Sequence, residues 1–155
     1  MKLAEALSLR ANAVRRIEQL RSRIVSNARY QEGEEPAEDA AALLVEVGGA
    51  LDSFESLIRR INHTNAVAAM GSDGTLTDAL GRRDALRLRH SVLTAAADAA
   101  AGSTHGYSRQ LRSELKMLSA LSVAQLRSEA DQVARELREL DVRIQKVNWE
   151  VDLLG

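Results

Sequence analysis

Aliphatic residues recur along this chain at alternating steps of three and four, the spacing that lines one face of an α-helix. The first stripe, Leu3, Leu7, Val14, Ile17, Ile24 and Ala28, predicts a helix over about 2–29, and Arg10 and Arg21 fall on the same stripe. A second stripe, Leu44, Val47, Leu51, Phe54, Ile58, Ile61, Asn65 and Ala68, predicts a helix over 36–69. Pro36 suits the first position of that helix, because its ring fixes a helical φ and its missing N–H has no partner there in any case. The third stripe, Leu76, Ala79, Arg83, Leu86, His90, Leu93, Ala97 and Ala100, predicts a helix over 75–101. A T-x-x-D capping box (Thr75 and Asp78) opens it, and Gly102 stops it. The fourth stripe is the most regular, from Val123 through Leu126, Ala130, Val133, Leu137, Leu140, Ile144 and Val147 to Val151, and predicts a helix over 122–151. Ser122 with Gln125 makes a second capping box at its start. On the outer side Arg127, Asp131, Arg135, Glu139 and Arg143 alternate in sign four apart, which marks a solvated face. Between the third and fourth stripes "GSTHGYSRQ" reads as loop, and the brief apolar run at 113–121 is expected to be extended.

These elements predict an all-α fold: an elongated antiparallel bundle of four long helices with coiled-coil-like seams, in one helical domain spanning 1–155. A helix of about 28 residues is roughly 42 Å long, so a rod is expected rather than a ball. Composition agrees, since Ala, Glu, Lys, Leu and Arg make up more than half of the residues. The core must be aliphatic, because the aromatics are only Tyr30, Phe54, Tyr107 and Trp149.

Charge and composition narrow the chemistry. A net charge of −1 gives no overall attraction to nucleic acid, and the basic runs "RRIEQLRSR" and "GRRDALRLRH" lack interleaved aromatics for base stacking. Without cysteine there is no disulfide, thiolate nucleophile or thiolate metal site. The first residues lack the apolar core of a signal peptide, and no run approaches the ~18 apolar residues of a membrane span. A cytoplasmic location is expected.

Several segments, "QEGEEPAED" (31–39), "LIRRINHTN" (57–65), "DGTLTDALGRRDAL" (73–86), "LRELDVRIQKVNWEVDLL" (137–154) and the N-terminal "MKLAEAL", resemble in the same order a small bacterial family of uncharacterised helical proteins that carries the label septicolysin. The resemblance implies a helical, oligomeric bacterial protein and brings no reaction, ligand or catalytic residue. The label itself implies a pore-forming toxin. Cytolysins of the cholesterol-dependent kind are β-rich with a Trp-rich tip, whereas this chain has one Trp and little strand potential.

The polar candidates concentrate where the second stripe meets the third. Asn62, Asn65, Arg83 and Asp84 form a candidate ligand-binding corner, with Arg83 as a fork-shaped donor for an anion. The competing reading makes Asn65 a buried residue that fixes register, its amide oxygen satisfied by Arg83. No histidine carries the Glu-x-x-His or His-x-x-x-His spacing of a metal site. The acidic run Glu32, Glu34, Glu35, Glu38 and Asp39 lacks the alternating ligand order of a calcium loop. Glu136 and Glu139 have the spacing of a magnesium-binding pair, but no matching second half follows. No catalytic residue, metal or cofactor is therefore assigned.

Arg10 and Arg21 are the informative anomaly. A charge aimed at a core must be paired or lie at an edge. Arg10, Val14, Ile17, Arg21 and Ile24 are thus expected to meet another subunit. The function expected is that of a non-enzymatic oligomeric scaffold or interaction protein, able to offer helical faces to a further protein partner. A ligand-binding or catalytic corner is the first alternative and membrane activity the second.

Overall fold

The computed structural model describes residues 1–102 and 115–155. The fold is all-α, as the periodicity predicts. Its four helices are α1 (Leu3–Asn27), α2 (Ala40–Val67), α3 (Leu76–Ala100) and α4 (Val123–Glu150), with a 3₁₀ turn at Gly71–Asp73. Among the described residues there is no strand, only two isolated bridges, Lys2 with Asp152 and Ala69 with Thr75. Residues 115–121 hold neither helix nor strand, so the expected extended segment is not a strand, and 113–114 lie outside the described residues. The loop expected over 102–110 also lies outside them beyond Gly102.

The helices associate as two antiparallel hairpins, α1 with α2 and α3 with α4, which touch each other far less than their own members touch. Ion pairs across each hairpin fix the antiparallel register: Arg16 with Glu46 at 2.8 Å and Arg23 with Glu38 in the first, Arg127 with Asp98 at 3.3 Å and Arg87 with Asp141 at 3.9 Å in the second. The two hairpins meet at one end, which we call the hub. There Leu3 and Ala6 of α1, Ile61 of α2, Ala68 and Met70 beyond it, Leu76 and Ala79 of α3, and Leu140 and Ile144 of α4 form one buried cluster. The chain ends close it. Leu3 N–H donates to the Val151 carbonyl and Leu153 N–H to the Met1 carbonyl, both at 2.9 Å. Lys2 donates to the last α4 carbonyl, Glu150, at 2.9 Å and pairs with Asp152 at 3.0 Å, which places a cation at the negative end of that helix.

Where each helix starts follows from local chemistry. The α2 helix begins at Ala40 rather than Pro36, because the Asp39 carboxylate accepts from the N–H groups of Ala41 and Ala42 and so out-competes an earlier start. Pro36 lies in the linker. The Thr75–Asp78 box forms in full at α3. At α4 only half of the expected box forms: Ser122 accepts from Gln125 N–H, while the Gln125 amide turns to Glu129.

The predicted stripes hold well for α3 and α4 and shift by about one residue in the first hairpin. On α1 the structure buries Leu3, Ala6 and Leu20, and on α2 Leu43, Ile61 and Thr64. Leu44 and Leu51, expected in the core, are 57% and 47% exposed. A helix with one neighbour buries only a narrow stripe, so the rest of its apolar face stays open. The charges Arg127 and Arg143 on the outer stripe of α4 pair across elements, with Asp98 and Asp73, rather than along their own helix.

Candidate functional site

The corner between α2 and α3 is built by two glycines and a chain reversal. Met70 N–H donates to the Gly74 carbonyl at 2.7 Å and Leu76 N–H to the Ala68 carbonyl at 2.8 Å, enclosing the 3₁₀ turn. Gly71 and Gly74 both take positive φ. At Gly74 the requirement is double, because an added Cβ would lie 2.6 Å from Oδ2 of the capping Asp78. That carboxylate is fully engaged, accepting from both the N–H and the hydroxyl of Thr75 at 2.8 Å, which holds its pKa below the ordinary value.

The turn presents Asp73, whose side chain is only 4% exposed, to two arginines. Arg82 of α3 donates to one carboxylate oxygen at 2.5 Å and Arg143 of α4 to the other at 2.7 Å. These donors, Arg143 foremost, keep the Asp73 carboxyl below its usual range against the opposing effect of burial. Arg82 also lies 3.8 Å from Glu136. The clamp thus ties the corner to both helices of the second hairpin. On the other side of the corner Thr64, fully buried, donates its hydroxyl to the Arg60 carbonyl at 2.8 Å and accepts from Leu154 N–H at 3.0 Å. Arg60 in turn donates to the Leu154 carbonyl at 2.9 Å.

The four residues expected to form a ligand site are not drawn together into one cluster. Asn62 is exposed and lines an open cleft of about 750 Å³ along α2, with Asp52, Glu55, Arg59, His63 and Gly155. The charges in that cleft serve one another, Arg59 lying 3.7 Å from Glu55. Asn65 is half-buried, and among the described residues no hydrogen bond joins it to Arg83. Thr64, one position earlier, is the buried polar residue instead. The Nε of Arg83 is buried and lies 3.5 Å from Oδ1 of its own neighbour Asp84, an ion pair without a hydrogen bond. Asp84 is exposed and also lies 3.7 Å from Arg87.

Sequence reading missed Asp73, Arg143 and Thr64. An acidic residue between two glycines just before a capping threonine was a usable signal for Asp73. Arg143 is distant in sequence and had none. Among the described residues no group of three or more His, Asp or Glu side chains is placed to hold a metal ion, and no helix is long and apolar enough to cross a membrane.

The profile of a family of unknown function, DUF6847, matches residues 10–153. The chain belongs to that family. A crystal structure of a functionally unknown conserved protein from Corynebacterium diphtheriae is similar over 99% of both chains, with 38% identity and a TM-score of 0.91. None of the curated proteins matches at a significant level. This DUF6847 chain therefore shares its whole two-hairpin architecture with a solved protein, and the comparisons assign no activity to either.

Proposed function

We propose that this DUF6847 protein works as a homo-oligomeric helical scaffold in the cytoplasm, with no chemistry of its own, whose hairpins present long faces to a partner. One observation carries the reading. The chain exposes 11545 Å², whereas a compact monomer of 16.9 kDa exposes about 7,700 Å². Residues 103–114, even fully extended, add at most ~1,900 Å² of that difference. A two-helix arm carries an apolar stripe on each helix and covers it from one side only, so association is the ordinary way to bury the remainder. The interface residues expected from sequence support this: Arg10, Val14 and Arg21 are exposed on α1, and Ile17 and Ile24 are half-buried.

The test is solution mass by light scattering together with small-angle X-ray scattering on the same sample. A mass that is a multiple of 16.9 kDa at micromolar concentration is expected. A monomer whose scattering fits the open two-hairpin shape would refute the reading.

A second reading rests on Arg83, whose buried Nε makes no hydrogen bond, its neighbour Asp84 lying 3.5 Å away. A small anion held there by Arg83 would make the corner a binding site, and a shift of the Arg83 side-chain resonances on adding inorganic phosphate would support it. The membrane activity implied by the septicolysin resemblance has no comparable support, since no helix among the described residues suits a bilayer span.

A further inference from the structure

Helix α3 carries two stripes at heptad spacing and has a neighbour for one of them. The first runs from Leu76 and Ala79 through Leu86 and Leu93 to Ala97, is buried or half-buried, and packs on α4. The second, Gly81, Ala85, Leu88, Val92, Ala95 and Ala99, keeps the same alternation of four and three on the outer back of the helix, about 150° away. Every member of it is exposed, Leu88 by 71% and Val92 by 67%. A Cβ added at Gly81 would meet nothing within 4 Å. Thr77, one turn nearer the hub, is exposed too, so the hub leaves the start of this stripe uncovered.

We infer that this back of α3 seats α3 of a second copy, as a parallel two-stranded coiled coil about a two-fold axis running along the seam. The inference rests on the oligomeric reading above and names a contact for it on the second hairpin. Spacing assigns Ala85, Val92 and Ala99 to heptad position a and Gly81, Leu88 and Ala95 to position d. The two large members are therefore a β-branched residue at a and a leucine at d, the choice that favours parallel helix pairs. In such a pair each seam residue meets its own counterpart. The exposed stretch of one copy thus lies on that of the other along its whole length of ~27 Å.

Charge selects the same axis. Arg82 and Arg89 flank the seam at position e, and Asp84 and Asp98 at position g. Parallel pairing sets Asp84 beside the other copy's Arg89, twice by symmetry, and opposes no like charges. Antiparallel pairing centred on the stripe would set Arg89 beside Arg89 and Asp84 beside Asp98. Among the described residues Arg89 makes no ion pair, though it lines a groove with Glu129 and Glu136 of α4. Asp84 meets only Arg83 and Arg87 of its own helix, at 3.5 and 3.7 Å. One helix face, ~27 Å by ~10 Å, is smaller than a standard interface, so the contact is weak on its own and proximity rather than mass reports it.

The chain has no cysteine, so Ala85→Cys in the full chain, oxidised with copper–phenanthroline, should give a disulfide-linked dimer. Antiparallel pairing would hold the two thiols about 15 Å apart and leave them unlinked. Val142→Cys, exposed on the back of α4, should not link. Asp84→Arg added to Ala85→Cys should cut linking several-fold, and Arg89→Asp added to both should restore it. Positions 84, 85 and 89 are exposed, so none of these exchanges removes a buried contact. An Ala85→Cys chain that stays unlinked while the wild type is oligomeric by light scattering overturns this contact and leaves the oligomeric reading standing. Linking that Asp84→Arg does not weaken, or that Val142→Cys matches, overturns the contact as well. A monomeric wild type overturns both.

Discussion

Replacing Asp73 with Asn tests whether the corner is held by charge. The carboxylate receives two charge-assisted hydrogen bonds, at 2.5 and 2.7 Å, in a position only 4% exposed. Each such bond contributes ~1.5–3 kcal/mol. Arg82 and Arg143 are half-exposed, so both rehydrate when the charge is lost and the lower end of the range applies. Asn keeps one acceptor of similar shape and recovers part of the sum, leaving a loss of about 2 kcal/mol. For a chain of this length that lowers Tm by about 4–8 °C. The assay is thermal unfolding by circular dichroism at fixed protein concentration, from neutral pH downward. The sign follows from the depressed pKa in the folded chain. Above the ordinary Asp value the ionised clamp contributes its full stabilisation. That contribution is lost as pH falls through the lower, folded value, so the wild type should converge on Asp73→Asn only in strong acid. Equal melting temperatures at pH 7, or a gap that stays constant into acid, would refute the electrostatic account.

Two further substitutions probe the hub. Gly74→Ala should destabilise by about 2 kcal/mol in urea titrations, since the residue sits at positive φ and its Cβ would displace the capping carboxylate; an unchanged midpoint would mean the turn relaxes without strain. Thr64→Val should cost ~1–2 kcal/mol by orphaning the Leu154 N–H, while Thr64→Ser keeps the hydroxyl and loses less, and equal losses for the two would make the methyl rather than the hydrogen bond decisive.

The second hairpin was legible in the sequence because its helices bury one stripe against each other, and the 3,4 spacing of Leu86, Leu93, Val133, Leu140 and Ile144 reports that stripe directly. The first hairpin was less legible for the reason that makes it interesting. Its apolar face is wider than its single neighbour can cover, so Leu44 and Leu51 matched the periodicity equally well but lie on the open flank. The helix start at Asp39 turned on a choice between two acceptable first turns, which a side-chain hydrogen bond decides and periodicity does not see. The corner was found, yet its working residues were not, since Asp73 becomes a clamp only once Arg143, seventy residues away, arrives beside it.

The hub also works as a fulcrum. Each hairpin extends from it by a helix of at least 25 residues, and at 1.5 Å per residue that is an arm of about 37 Å. A rotation of only ~10° within the hub sweeps the tip of such an arm through about 6 Å, more than one helical turn. The linker at 28–39 and the helix ends at Ala100 and Val123 are therefore aimed by contacts that lie at the opposite end of the molecule, among them the two arginines on Asp73. A substitution that merely repacks the hub would show its largest displacement where no atom has been changed.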